Sequence, residues 1–246
     1  APDRDAFTDG GATLGPDGSI YTCTDEPGSL TMILENGNMD GIKGRVRKFK
    51  LGTGEMVWET PTAHACLNFP AISPDGKTMV LADGQNVLEP AMFYFSDGMS
   101  REAKEKFYKL QQQWLEEKIQ LSMWGQDNIN ASLMGFDTET GKMKWQTKME
   151  PWWGMSFARD EERSYNFKVN GANTPFCGPP HWGGPTIDEN GNIYIGRSDG
   201  NLYLFNSEGH QETKFETNDG MLMAGVSFAP GLMVVPSCSF VYVFRY

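Results

Sequence analysis

Apolar residues in this chain come in short runs, and each run stops at a cluster of Gly, Asp or Asn. Four segments, 12–22, 70–82, 185–196 and 226–235, share one order: an apolar stretch, a turn, then a run rich in Ile, Tyr, Val and Leu. Each predicts a β-hairpin. Pro16-Asp17-Gly18, Pro74-Asp75-Gly76 and Glu189-Asn190-Gly191 supply the positive φ that tight turns need, and the flanking β-branched and aromatic residues suit a pleated surface. A second pattern follows the first. Segments 46–58 and 133–145 run through a Thr-Gly turn and end on Trp58 and Trp145. Segment 202–215 keeps a glycine and puts Phe215 where the tryptophan stood, and 240–246 supplies the first strand of a further pair.

Two hairpins in series make a four-stranded antiparallel unit, and the unit recurs four times with the last copy incomplete. That predicts an all-β fold, a small propeller of about four four-stranded blades, in one domain over 1–246. The segment around 5–10 is expected to complete the last blade and close the ring against the first. Two stretches fit no repeat, 85–130 and 151–180. Setting them aside leaves roughly 42 residues per repeat, inside the range for a four-stranded blade.

The first insertion predicts a helix over 100–121, capped by Ser100, with Ala103, Phe107, Leu110 and Trp114 along one face. That face either lies on the propeller or docks a partner. The second insertion holds Trp152, Trp153 and the charged run from Arg159 to Arg163, and His181 and Trp182 follow it. Its indoles suit a plug over the channel, a protein contact or a sugar platform.

Charge removes one class of partner. Lys plus Arg is 21 against 32 for Asp plus Glu, a net −11, whereas nucleic-acid binding needs clustered cations. Hydrophobic residues at 39% are enough for a core, and no apolar run approaches the roughly 18 residues of a spanning helix. The chain opens Ala1-Pro2 without methionine, which suggests export after cleavage of a targeting segment, to a periplasm, the secretory pathway or an organelle lumen such as the thylakoid. Cys23, Cys66, Cys177 and Cys238 form no Cys-x-x-Cys pair, so a zinc knuckle or redox motif is not expected. An even count suits disulfides in an oxidising compartment, though four free thiols would look the same. Cys23 and Cys238 end the second strands of blades one and four, so a bridge between them would staple a closed ring, with Cys66 and Cys177 in loops before innermost strands. Asn130-Ala131-Ser132 fits a glycosylation acceptor.

The phrase from Phe136 to Trp145 resembles the tryptophan-docking motif of the pyrroloquinoline-quinone-like (PQQ-like) repeat family, and 196–205 resembles the hairpin that precedes it. Segment 49–58 matches as well, the ends of the chain less so. The resemblance implies that Trp58 and Trp145 pack against the neighbouring blade and that Phe215 is a degenerate docking residue. The quinone dehydrogenases of that family carry adjacent cysteines and a calcium held by carboxylates. This chain has no adjacent cysteines, so neither pyrroloquinoline quinone, nor a metal, nor a catalytic residue is expected.

Many members bind no quinone and act as scaffolds, sensors or assembly factors. The implied function is a non-catalytic interaction or scaffold subunit, on the lumenal, periplasmic or extracellular face of a larger membrane complex. Its contacts are expected at Phe107, Trp114, Trp152, Trp153, His181 and Trp182. The alternative is a small-ligand or carbohydrate-binding propeller, even a hydrolytic one, that uses the channel mouth near His64, His181 and the tryptophans. For zinc, those two histidines would need a carboxylate such as Asp160 or Glu161. No Gly-x-Ser-x-Gly elbow or Walker loop accompanies them.

Overall fold

The computed structural model describes residues 10–26, 43–66, 68–84, 101, 130–150, 158–159, 182–220, 225–237 and 239–245. Apart from Arg101, the helix expected over 100–121 lies outside these residues, as do Trp152, Trp153, Asp160, Glu161, Cys177, His181 and Cys238.

Strands make up the named elements of the described residues, and they group into four antiparallel sheets in chain order. The first holds β1 (Ala12–Leu14), β2 (Ser19–Asp25), β3 (Gly44–Lys50) and β4 (Met56–Pro61). Next come β5 (Ala71–Ile72), β6 (Thr78–Gly84), β7 (Ala131–Asp137) and β8 (Met143–Lys148), then β9 (Thr186–Ile187), β10 (Ile193–Gly196), β11 (Asn201–Phe205) and β12 (Gln211–Glu216). The last sheet has three strands, β13 (Ser227–Ala229), β14 (Leu232–Pro236) and β15 (Val241–Arg245). Every sheet is a meander in which each strand pairs with the next, as the serial hairpins predict. These sheets are the blades.

The core lies between the blades rather than inside any one of them. Tyr21, Val46, Met79, Leu81, Met134 and Phe136 pack between blades one and two. Val80, Leu133, Ile193, Ile195, Tyr203 and Phe205 fill the space between two and three. Because blade two has a neighbour on both sides, β6 is buried along its whole length and reads as the continuous run Met79-Val80-Leu81-Ala82. The third seam is smaller, with Leu202, Val226 and Val235 buried at its centre.

A bulge falls at the same place in three blades, between Lys48 and Phe49, Gly135 and Phe136, and Leu204 and Phe205. It fixes the register between repeats. Trp58 pairs with Lys48 and Trp145 with Gly135, but Leu204 pairs with Thr213. Phe215 is therefore not the tryptophan's counterpart: it pairs with Leu202, two positions further along the strand. It still meets the next blade, edge-on to Phe244 at 5.0 Å and to Tyr242 at 6.3 Å.

One expectation about closure is corrected. Cys23 bonds to Cys66, with their Cα atoms 5.7 Å apart, and not to Cys238. The chain entering blade two runs across the end of blade one, where Gly44 leaves no room for a side chain against Thr62, His64 and Cys66, and this brings Cys66 onto β2. Gly10 lies against the Asn68 backbone, and residues 5–9, expected to complete the last blade, are outside the described residues. On β15 the alternate residues Val241 and Val243 are 66% and 57% exposed, so the far face of the last blade is open.

Candidate functional site

The first two seams are each held by an outer strand reaching over the next blade's turn. In the first, the Trp58 indole N–H donates to the Thr138 carbonyl at 3.1 Å, and the Thr60 hydroxyl donates to the Gly141 carbonyl at 2.7 Å. Gly141 has φ of 70°, and a Cβ there would run into the Trp58 ring, so turn geometry and indole contact both demand glycine. Lys48 donates to the same Thr138 carbonyl at 3.0 Å and pairs with Asp17 at 2.8 Å. Burial would raise the Asp17 carboxyl, but bonds from Lys48, the Ser19 amide and Tyr21 outweigh it and hold it at about 2.

The second seam repeats the ring and the threonine bond but not the indole acceptor or the lysine. Trp145 lies on Gly209, whose φ is 80°, and the Thr147 hydroxyl donates to the Gly209 carbonyl. The turn beneath it, Asn206-Ser207-Glu208-Gly209, is one residue shorter than Asp137-Thr138-Glu139-Thr140-Gly141. The buried Trp145 indole N–H finds no acceptor. Gly135 occupies the register position of Lys48, so no lysine enters either. A cavity of about 470 Å³ remains, lined in part by Asp75, Lys144, Trp145, Glu189, Asn190 and Glu208. Lys144 donates to the Thr78 hydroxyl at 2.7 Å.

A second cluster forms where the chain enters each blade. Ala65 bridges Gly84 in blade two, and Trp182 bridges Arg197 in blade three. The His64 amide donates to the Asp83 carboxylate at 3.2 Å. Burial pushes Asp83 up to about 7 and holds the His64 imidazole below its ordinary value. In blade three the Arg197 guanidinium lies 5.1 Å from the Trp182 ring centre. Its Nη1 donates to the Glu150 carbonyl at 2.9 Å and to Asp199 at 3.2 Å. Asp199 also accepts from the Tyr203 hydroxyl at 2.7 Å, and burial together with that carboxylate raises the Tyr203 phenol.

Of the residues singled out in the sequence, Trp58 and Trp145 lie in seams and His64 lies at the entry to blade two. Trp182, expected at a partner surface, is buried to 3% beside Tyr203 and Arg197, so it is an internal residue. No group of three His, Cys, Asp or Glu side chains suited to a metal occurs among the described residues, and none of their helices is long and apolar enough to cross a membrane. Sequence reading missed Arg197, Asp199 and Asp83. The available signal was a charge directly after an apolar strand: Ile193 to Gly196 runs into Arg197, and Met79 to Ala82 into Asp83.

Among solved structures, the Dos1 propeller is 9% identical, with a TM-score of 0.51 over 96% of this chain and 41% of that one. BamB from Moraxella catarrhalis is 10% identical, with a TM-score of 0.48 over 96% of this chain and 43% of that one. A quinohemoprotein alcohol dehydrogenase from Pseudomonas putida HK5 is 12% identical, with a TM-score of 0.44 over 93% of this chain and 31% of that one. This chain spans less than half the length of each. The four meander sheets and the likeness to the Dos1 propeller give a β-propeller fold. No family model and no curated protein matches the chain.

Proposed function

We propose that this chain is a non-catalytic scaffold propeller that works without a quinone and holds a protein partner as part of a larger membrane complex. The observation that carries the reading is the open face of the last blade. Blades one to three each bury one sheet face against the blade that follows, whereas blade four leaves Val241 and Val243 exposed. Exposed apolar rows on a sheet face are costly in water, at roughly 25 cal/mol per Å². What continues the seam is an apolar β-sheet face standing where a next blade would stand. The insertions 85–130 and 151–180 belong to the same proposal as a second contact, through Phe107, Trp114, Trp152 and Trp153.

Replacing both valines, Val241→Lys with Val243→Lys, tests the face. The circular dichroism spectrum should be unchanged, because both side chains are exposed. Co-purification in mild detergent, followed by titration with the purified partner, should show at least a tenfold loss of affinity. A folded double variant that binds the partner as well as the parent chain removes the open face from the interface.

A further inference from the structure

Arg197 follows β10 directly and is buried to 1% exposure. A guanidinium carries five N–H donors in a fixed fork and no acceptor. Nη1 is used, on the Glu150 carbonyl and Asp199. The opposite edge is not: Nε and Nη2 are both buried and have no acceptor. Trp182, bridged to Arg197 across the sheet, has a buried indole N–H that also lacks one, and so does the buried hydroxyl of Ser198. Buried donors left unpaired are costly and rare in folded proteins, and four of them fall on one bridged pair and its chain neighbour.

The fourth blade shows what the same place accepts. Ser237 follows β14 as Arg197 follows β10, and its hydroxyl donates to the buried carboxylate of Asp219. Asp219 takes the Ser239 amide and hydroxyl as well, each at 3.0 Å. The position in blade four is thus filled by a carboxylate from its own chain. In blade three Asp199 is engaged on the Nη1 side by Arg197, Tyr203 and the Asn201 amide.

We propose that Arg197 and Trp182 form a binding site for a carboxylate, which lies along the Nε and Nη2 edge of the guanidinium and is reached by the indole N–H. Two parallel N–H groups in one plane match the two oxygens of a carboxylate, a geometry that lysine cannot reproduce. Asp199 already offsets the arginine charge and the chain carries −11 overall, so binding is weak, in the millimolar range.

The test is a thermal-shift titration of the full chain with sodium acetate against sodium chloride at equal ionic strength. Acetate at ~10 times its dissociation constant should raise Tm by a few degrees in a saturating curve, and chloride should not. Trp182→Phe keeps the ring and removes the N–H, and should raise the half-saturation concentration severalfold. Arg197→Lys keeps the charge and should abolish the acetate response; if that variant does not fold, Trp182→Phe decides. A blocked tripeptide with a central glutamate separates the sources. Tighter binding by the tripeptide than by acetate assigns the site to a protein side chain, and the reverse assigns it to a free acid. Equal shifts with acetate and chloride, or an acetate response unchanged in Trp182→Phe, overturn the proposal.

Discussion

The seams on either side of blade two place the same indole on the same kind of glycine, yet the indole N–H is hydrogen-bonded in one and not in the other. Between blades one and two, Trp58 and Lys48 share the Thr138 carbonyl, and Asp17 anchors the lysine. Between blades two and three, the turn is one residue shorter, glycine stands for lysine, and Trp145 keeps an unpaired N–H beside a cavity of about 470 Å³. Ring packing is therefore the common element of docking, and polar closure is added where turn length brings a carbonyl under the indole.

The largest effects should come from removing the rings. Trp58→Ala and Trp145→Ala should each destabilise the fold by about 3 to 5 kcal/mol in urea titrations, Trp58→Ala the more because it also strips a bond from Thr138. A cost below about 1 kcal/mol for either would show that its ring does not hold a seam. Reduction of Cys23–Cys66, which closes a span of 43 residues, should cost about 4 kcal/mol through the chain entropy of the unfolded state. Chromatography under reducing and non-reducing conditions with a melting curve of each form would check it, and an unchanged Tm would contradict it.

Substituting phenylalanine separates ring from hydrogen bond. Trp58→Phe should cost about 1 kcal/mol more than Trp145→Phe, because both lose the same ring volume but only Trp58 loses a satisfied bond. The ion pair is the smallest contribution. Asp17 is held at about 2 in the folded chain, below its ordinary 3.8, so its stabilisation is present above pH 4 and is lost as pH falls toward 2. With Asp17 partly exposed, Asp17→Asn should cost under about 1 kcal/mol at neutral pH and nothing near pH 2, measured as the difference in unfolding free energy across that range.

Much of this was legible in the chain. Turn glycines between alternating runs placed the hairpins, and the recurrence of Trp58 and Trp145 four residues after Gly54 and Gly141 placed the docking strands. The same count from Gly209 reaches Thr213, but the aromatic Phe215 two positions on drew the eye and gave the wrong register. The cysteine pairing was not legible, since it depends on how the chain crosses from one blade to the next and spacing says nothing about that path. Arg197 was hidden for another reason. An arginine in a polar turn reads as solvated, and only the packing of Trp182 over it makes it internal.

The difference between the seams is tested most directly by the indole N–H resonances of uniformly ¹⁵N-labelled protein, with Trp58 and Trp145 assigned by their phenylalanine variants. The account predicts that the Trp58 indole proton, bonded to a carbonyl, resonates well downfield of the Trp145 proton. A Trp145 proton shifted as far downfield as that of Trp58 would mean that the second seam has an acceptor after all, and the contrast between the two seams would fail.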